Sequence, residues 1–168
     1  VYRFVTNFKN DFILENEIAE FAFAKDYNGY FPYTNKPGTR KDNYFTSFEA
    51  PYIKCELSRF DKECVAFVPV IVEHDNYDVC ILESDVEHYP GMFVSNKKGA
   101  TALRGDFAPM PDKVVAGGYR KLQDVMESRK PYIAECKAQT DTPWRIVLVA
   151  KDKNEWLDND MVYRLASP

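Results

Sequence analysis

The sequence predicts an all-β fold, a sandwich of antiparallel sheets with one or two short helices. Three observations predict it. Short runs rich in aromatic and β-branched residues recur along the chain, as at 2–8, 64–73 and 144–150. Turn signals built from Gly, Pro, Asn and Asp separate these runs at short intervals. Only one stretch, 119–129, spaces its apolar residues like a helix. Many short strands with frequent turns make a sandwich.

The elements follow in order. Residues 2–8 (YRFVTNF) are aromatic and β-branched and are broken by the polar run after them. In 17–24 (EIAEFAFA), period two puts Ala19, Phe21 and Phe23 on one face of a strand. Residues 25–43 read as a long polar loop, and a loop of that length in a compact domain tends to be functional. Residues 44–58 give one or two strands with a break at Pro51, and a turn follows. The run 64–73 (CVAFVPVIVE) is a strong β signal in which Pro69 marks an edge, a bulge or a break. Residues 79–84 (VCILES) pair with it as a hairpin. Short strands follow at 91–96 and, more weakly, at 100–111. A helix is expected over 119–129, where Leu122, Val125 and Met126 fall at helical spacing and Pro131 stops it. Strand returns at 132–136 and 144–150, and 154–160 looks like a helical turn.

The totals bound the function. The 168 residues fit one domain, and 45% hydrophobic with 15% aromatic content is ample for a packed core. Net charge is −4 and the basic residues are scattered, so nucleic acid is not an expected partner. Nothing approaches the roughly 18 consecutive apolar residues of a membrane-spanning helix. The opening Val1-Tyr2-Arg3-Phe4 enters strand-like sequence at once, which reads as an excised or processed piece. The four cysteines lack zinc or redox spacing and read as small buried residues. Cys55 and Cys64 flank a turn, which leaves a hairpin disulfide open.

Few residues offer chemistry. His74 and His88 are the only histidines, and neither sits in a pattern for a nucleophilic triad, so both are expected at the surface. Gly117-Gly118 lacks the context of a phosphate loop. Tyr27, Tyr30, Phe31 and Tyr33 could stack on sugar rings, but ordinary packing is the simpler reading. The acidic run Glu83, Asp85 and Glu87 is the best candidate site. In an extended chain these three share a face, where they repel unless water, a basic group or a cation lies between them. Calcium takes about six to eight oxygen ligands, so three carboxylates cannot complete its shell. On spacing alone a solvated strand end is favoured over a metal site.

Two segments carry a family resemblance. "FVPVIVEHDNYDVCILESDVEHYPGMFV" (67–94) and "PYIAECKAQTDTPWRIVLVAKDKNEWLDNDMVYRLASP" (131–168) closely resemble the N-terminal domain of glycoside hydrolase family 97. The most specific pieces are Glu83, Asp85 and Tyr89-Pro90-Gly91-Met92, together with Thr142-Pro143-Trp144-Arg145. The resemblance covers residues 1–168 as a single β-sandwich domain, the later part of the family's N-terminal β-super-sandwich. It implies an exo-acting α-glucosidase or α-galactosidase, periplasmic or otherwise exported, whose catalytic (β/α)8 barrel and small C-terminal domain lie outside this chain. It also implies calcium held mostly by barrel glutamates, with one ligand from this domain, for which Glu83 is the match. Asp85 and Glu87 would then orient the site or stay solvated. Trp144 and Arg145 would pack the last strands against the barrel, or Arg145 would pair with a carboxylate near the site. Where many family members carry a Trp near the start of the 27–44 loop, this chain has Tyr and Phe. The implied partners are the barrel and an α-linked oligosaccharide, and the fragment alone is expected to be inactive. A self-sufficient sugar-binding module or a purely structural domain are the competing readings.

Overall fold

A computed structural model describes residues 1–34 and 42–168. Two antiparallel sheets face each other across one core. The first has five strands in the order β13-β7-β6-β3-β4: Trp144–Ala150, Asp78–Ser84, Val70–Glu73, Asn28–Phe31 and Ile53–Glu56. The second has four in the order β2-β9-β8-β5: Glu20–Ala22, Ala102–Phe107, Met92–Ser95 and Ala66–Phe67. Two smaller pairs are hydrogen-bonded outside these sheets: β1 (Phe12–Leu14) with β12 (Ala134–Cys136), which packs on the core, and β10 (Pro111–Gly117) with β11 (Gln123–Arg129). Three short 3-10 turns and one helix, α1 (Met161–Leu165), complete the described chain. The fold is thus the all-β sandwich that the sequence predicts. Among the described residues no helix is long and apolar enough to cross a membrane.

The core comes from the inward parity of each strand. Phe31, Val70, Val72, Val79 and Ile81 from the first sheet meet Phe21, Met92, Val94, Leu103 and Phe107 from the second. Burying such a side chain contributes about 1.5–3 kcal/mol before entropy is counted. Pro69 breaks one apolar run into β5 and β6, so the two halves serve different sheets. The expected hairpin of β6 and β7 forms, with Ile71 opposite Cys80.

Three expectations are corrected, and the pairing left open for Cys55 and Cys64 is resolved. Residues 119–129 are not a helix: a 3-10 turn at Tyr119–Lys121 leads into strand β11. The antiparallel partner β10 decides this, because Val115 faces Val125 and Val114 faces Met126. Leu122 is left 80% exposed, so the three apolar positions never form one buried stripe. The segment 25–43 is not all loop, since Asn28–Phe31 form a strand paired on both sides. Residues 35–41 of it, including the Lys-Pro-Gly signal, lie outside the described residues. The run 2–8 does not form a regular strand, and it touches its neighbours through isolated bridges at Tyr2 and Val5. Cys55 and Cys64 are not linked; Cys64 is buried, while Cys55 lies half-buried with its Sγ 3.5 Å from the Tyr33 hydroxyl.

Candidate functional site

The site is built around the C-terminal end of β7. Val79, Ile81 and Glu83 have the same parity, so the strand aims Glu83 toward the core side. The alternation then stops. Asp85 adopts a left-handed backbone (φ 62°), so Glu83, Asp85 and Glu87 do not share a face as an extended chain would require. Asp85 instead accepts the Ser167 backbone N–H at 2.8 Å and faces Arg3 at 3.6 Å. The Ser84 hydroxyl donates to the Val162 carbonyl at 2.5 Å, which docks α1 on the same strand end. Glu87 is exposed.

Glu83 is not a free, wet carboxylate. Its side chain is 11% exposed. The Tyr89-Pro90-Gly91 turn brings the Met92 N–H back to it, 2.8 Å from Oε1 and 3.0 Å from Oε2. Gly91 permits this approach, because a Cβ there would lie 3.3 Å from Oε1. On the other side stands Arg145, directly opposite Glu83 in the β13–β7 register. Its Nη1 donates to Glu83 Oε2 at 2.7 Å.

Arg145 is fully buried and holds a second carboxylate as well. Its Nε donates to Glu17 Oε1 at 2.8 Å and its Nη2 to Glu17 Oε2 at 2.7 Å, a bidentate fork. The Tyr89 hydroxyl donates to Glu17 Oε2 at 2.7 Å. The rings of Phe107 and Tyr89 lie 5.0 and 5.7 Å from the guanidinium carbon. Burial pushes the Glu83 carboxyl up to about 7, against the pull of the Met92 N–H and Arg145. Burial works to lower the Arg145 pKa, but its bonds to Glu17 and the nearby negative charges outweigh this and hold it charged. Burial, then the Glu17 bond, raises the Tyr89 phenol.

Beside this cluster opens a cavity of about 640 Å³. Glu83, Gly91 and Met92 line it on one side, with Tyr44, Phe48 and Phe93 forming an aromatic wall. Tyr44 is held by its bond to Asp106, and the Arg129 guanidinium lies 5.6 Å from its ring.

The other sequence candidates fall elsewhere. His74 stacks on Tyr77 in the β6–β7 turn, with centroids 4.0 Å apart. His88 is exposed at the rim of the cavity. Tyr27, Phe31 and Tyr33 pack in or against the core. Tyr30 donates its hydroxyl to Glu73 at 2.7 Å. Arg3 covers the Trp144 ring at 4.7 Å. Glu17 was not among the sequence candidates, although period two puts it on the inward face of Ala19, Phe21 and Phe23. A charge at that position was the available signal.

Among the described residues no three His, Cys, Asp or Glu side chains converge as a metal cluster. Among the described residues this cluster would offer a cation Glu83 as a single anionic ligand at the cavity wall. Both Glu83 oxygens accept from the Met92 N–H, Oε2 also accepts from Arg145, and Oε1 lies on the Gly91 side. A hard cation here would take a single anionic oxygen from this chain and the rest from elsewhere.

An antiparallel sandwich with a charged cluster at one sheet end defines a β-sandwich domain, and comparison with known proteins says of which kind. The family profile described as "Glycosyl-hydrolase 97 N-terminal" matches residues 1–168, and the chain belongs to that family. It is 34% identical over 170 residues to a retaining alpha-galactosidase of Bacteroides thetaiotaomicron, covering 99% of this chain and 26% of that protein. The fold is shared with a glycoside hydrolase family 97 enzyme from Pseudoalteromonas sp. strain K8, solved with acarbose and, as a variant, with panose. Each comparison has a TM-score of 0.68 at 14% identity, covering 99% of this chain and 21% of that one. The chain therefore spans about a quarter of the length of these relatives.

Proposed function

We propose that this chain is the N-terminal β-sandwich domain of an exo-acting α-glycosidase and lends Glu83 to a calcium site completed by a catalytic (β/α)8 barrel. The observation that carries the reading is the Glu83 carboxylate, held at a sheet end on the wall of an open cavity with Oε1 on the Gly91 side. α-Linked galactosides are the preferred substrates in this reading, because the relative at 34% identity is an alpha-galactosidase. Calcium, when bound, supplies a fixed positive charge that orders oxygen ligands about the reacting bond. This chain's own part is to present Glu83 and to wall one side of the site. The acid and the nucleophile of glycoside hydrolysis would lie on the barrel, so the domain alone is inactive. The same reading makes the enzyme periplasmic or otherwise exported, which cell fractionation checks.

The test is Glu83→Gln in the full-length enzyme. Calcium titrated into chelator-stripped protein should bind at least about 10-fold more weakly, and turnover of an aryl α-galactoside should fall with it. Unchanged calcium affinity and unchanged turnover would remove Glu83 from the site.

A further inference from the structure

We infer that Arg145, anchored by Glu17, is the positioning residue of this site: it fixes the Glu83 carboxylate at the wall of the cavity by holding Oε2. The inference rests on the proposed role of Glu83 as a ligand. Three observations carry it. Glu17 engages Nε and Nη2 of the guanidinium, which sets the plane of the group and leaves Nη1 for Glu83. The Tyr89 hydroxyl holds Glu17 from the other side, and Tyr89 belongs to the same turn that brings the Met92 N–H to Glu83. The guanidinium is fully buried against Phe107 and Tyr89, so bulk water does not compete for its N–H groups.

Stability alone does not call for this arrangement. Buried ion pairs can often be replaced by apolar groups of similar volume without loss. A ligand carboxylate is different, because a glutamate has three free torsions and an unheld one occupies many orientations. A bidentate fork on one side and a single charged bond on the other turns a flexible side chain into a fixed donor. Lysine cannot replace it, since a point charge cannot bridge two carboxylates in a set plane.

The experiment uses the full-length enzyme and three variants, Arg145→Lys, Glu17→Gln and Tyr89→Phe, alongside Glu83→Gln. Each is first checked for a cooperative melt. Calcium affinity is measured by calorimetry on chelator-stripped protein, and kcat and KM with an aryl α-galactoside. Arg145→Lys and Glu17→Gln should each weaken calcium binding by about 10-fold and lower kcat while leaving KM near its original value. Tyr89→Phe, which keeps every charge and both Arg145 pairs, should show a smaller loss in the same direction. If Glu83→Gln weakens calcium binding but folded Glu17→Gln and Tyr89→Phe bind it like the parent, the positioning role is overturned and the ligand role stands. If Glu83→Gln itself leaves calcium affinity unchanged, the ligand role fails and the positioning role fails with it.

Discussion

Arg145 and Glu83 stand directly opposite each other on neighbouring strands, and their side chains meet at 2.7 Å. The pair is buried, and Glu17 makes it a triad with one positive and two negative groups. A buried guanidinium between two carboxylates has large consequences when one member is removed, because the others stay desolvated.

Arg145→Leu should therefore destabilise the domain by about 3–5 kcal/mol, since Glu17 and Glu83 lose their shared partner. Urea unfolding followed by tryptophan fluorescence measures it. A loss under about 1 kcal/mol would mean that water or a rearranged side chain replaces the guanidinium.

The pH dependence follows from the same site. Burial raises the Glu83 carboxyl from 4.5 to about 7 in the folded chain. Between these values the folded state binds more protons than the unfolded one, so this group's contribution to stability falls as pH rises. The cost is absent below about 4.5 and complete above about 7. Subtracting the profile of Glu83→Gln from that of the parent isolates the term. The difference should grow in the variant's favour from pH 5 to pH 8, and a flat difference would contradict the burial argument.

Gly29 lies under a ring. A Cβ at this position would sit 2.3 Å from Phe31 Cζ, and Phe31 is fully buried against Phe60. Gly29→Ala should cost about 1–3 kcal/mol by overpacking. Thermal melts read it, and an unchanged midpoint would mean that the Phe31 ring moves aside freely.

The β10–β11 hairpin should be less protected than the two main sheets. It pairs only with itself among the sheets, and Tyr119 and Leu122 at its tip are 72% and 80% exposed. Two strands alone are marginal in water. Hydrogen exchange should label its amides well before those of β6 and β7, whose strands are paired on both sides. Equal protection would show that the arm is held more firmly than its contacts imply.

Legibility differed by element. The β6–β7 hairpin, the Pro69 break and the strand at 144–150 were readable because apolar alternation and turn residues act locally. The strand at 123–129 was not, because three apolar residues satisfy helical spacing by coincidence and only β10 selects the extended form. At the site, Glu83 was readable through its motif, but its setting was not. Asp85 leaves the extended conformation, so the shared face of three acids never forms. Arg145 appeared as a possible carboxylate partner, whereas Glu17, 128 residues away from it, gave only an inward charge as its signal.

The sequence by itself determined the fold class, the family resemblance and the strand that carries Glu83. These depend on side-chain period and on turn chemistry, which act over a few residues. Only the tertiary structure decided that Glu83 is drawn inward and tied to Arg145, and that Glu17 and Tyr89 complete the cluster. Cross-strand register and the closing of two sheets bring those groups together, and charges so distant along the chain become neighbours only after the core has excluded water between them.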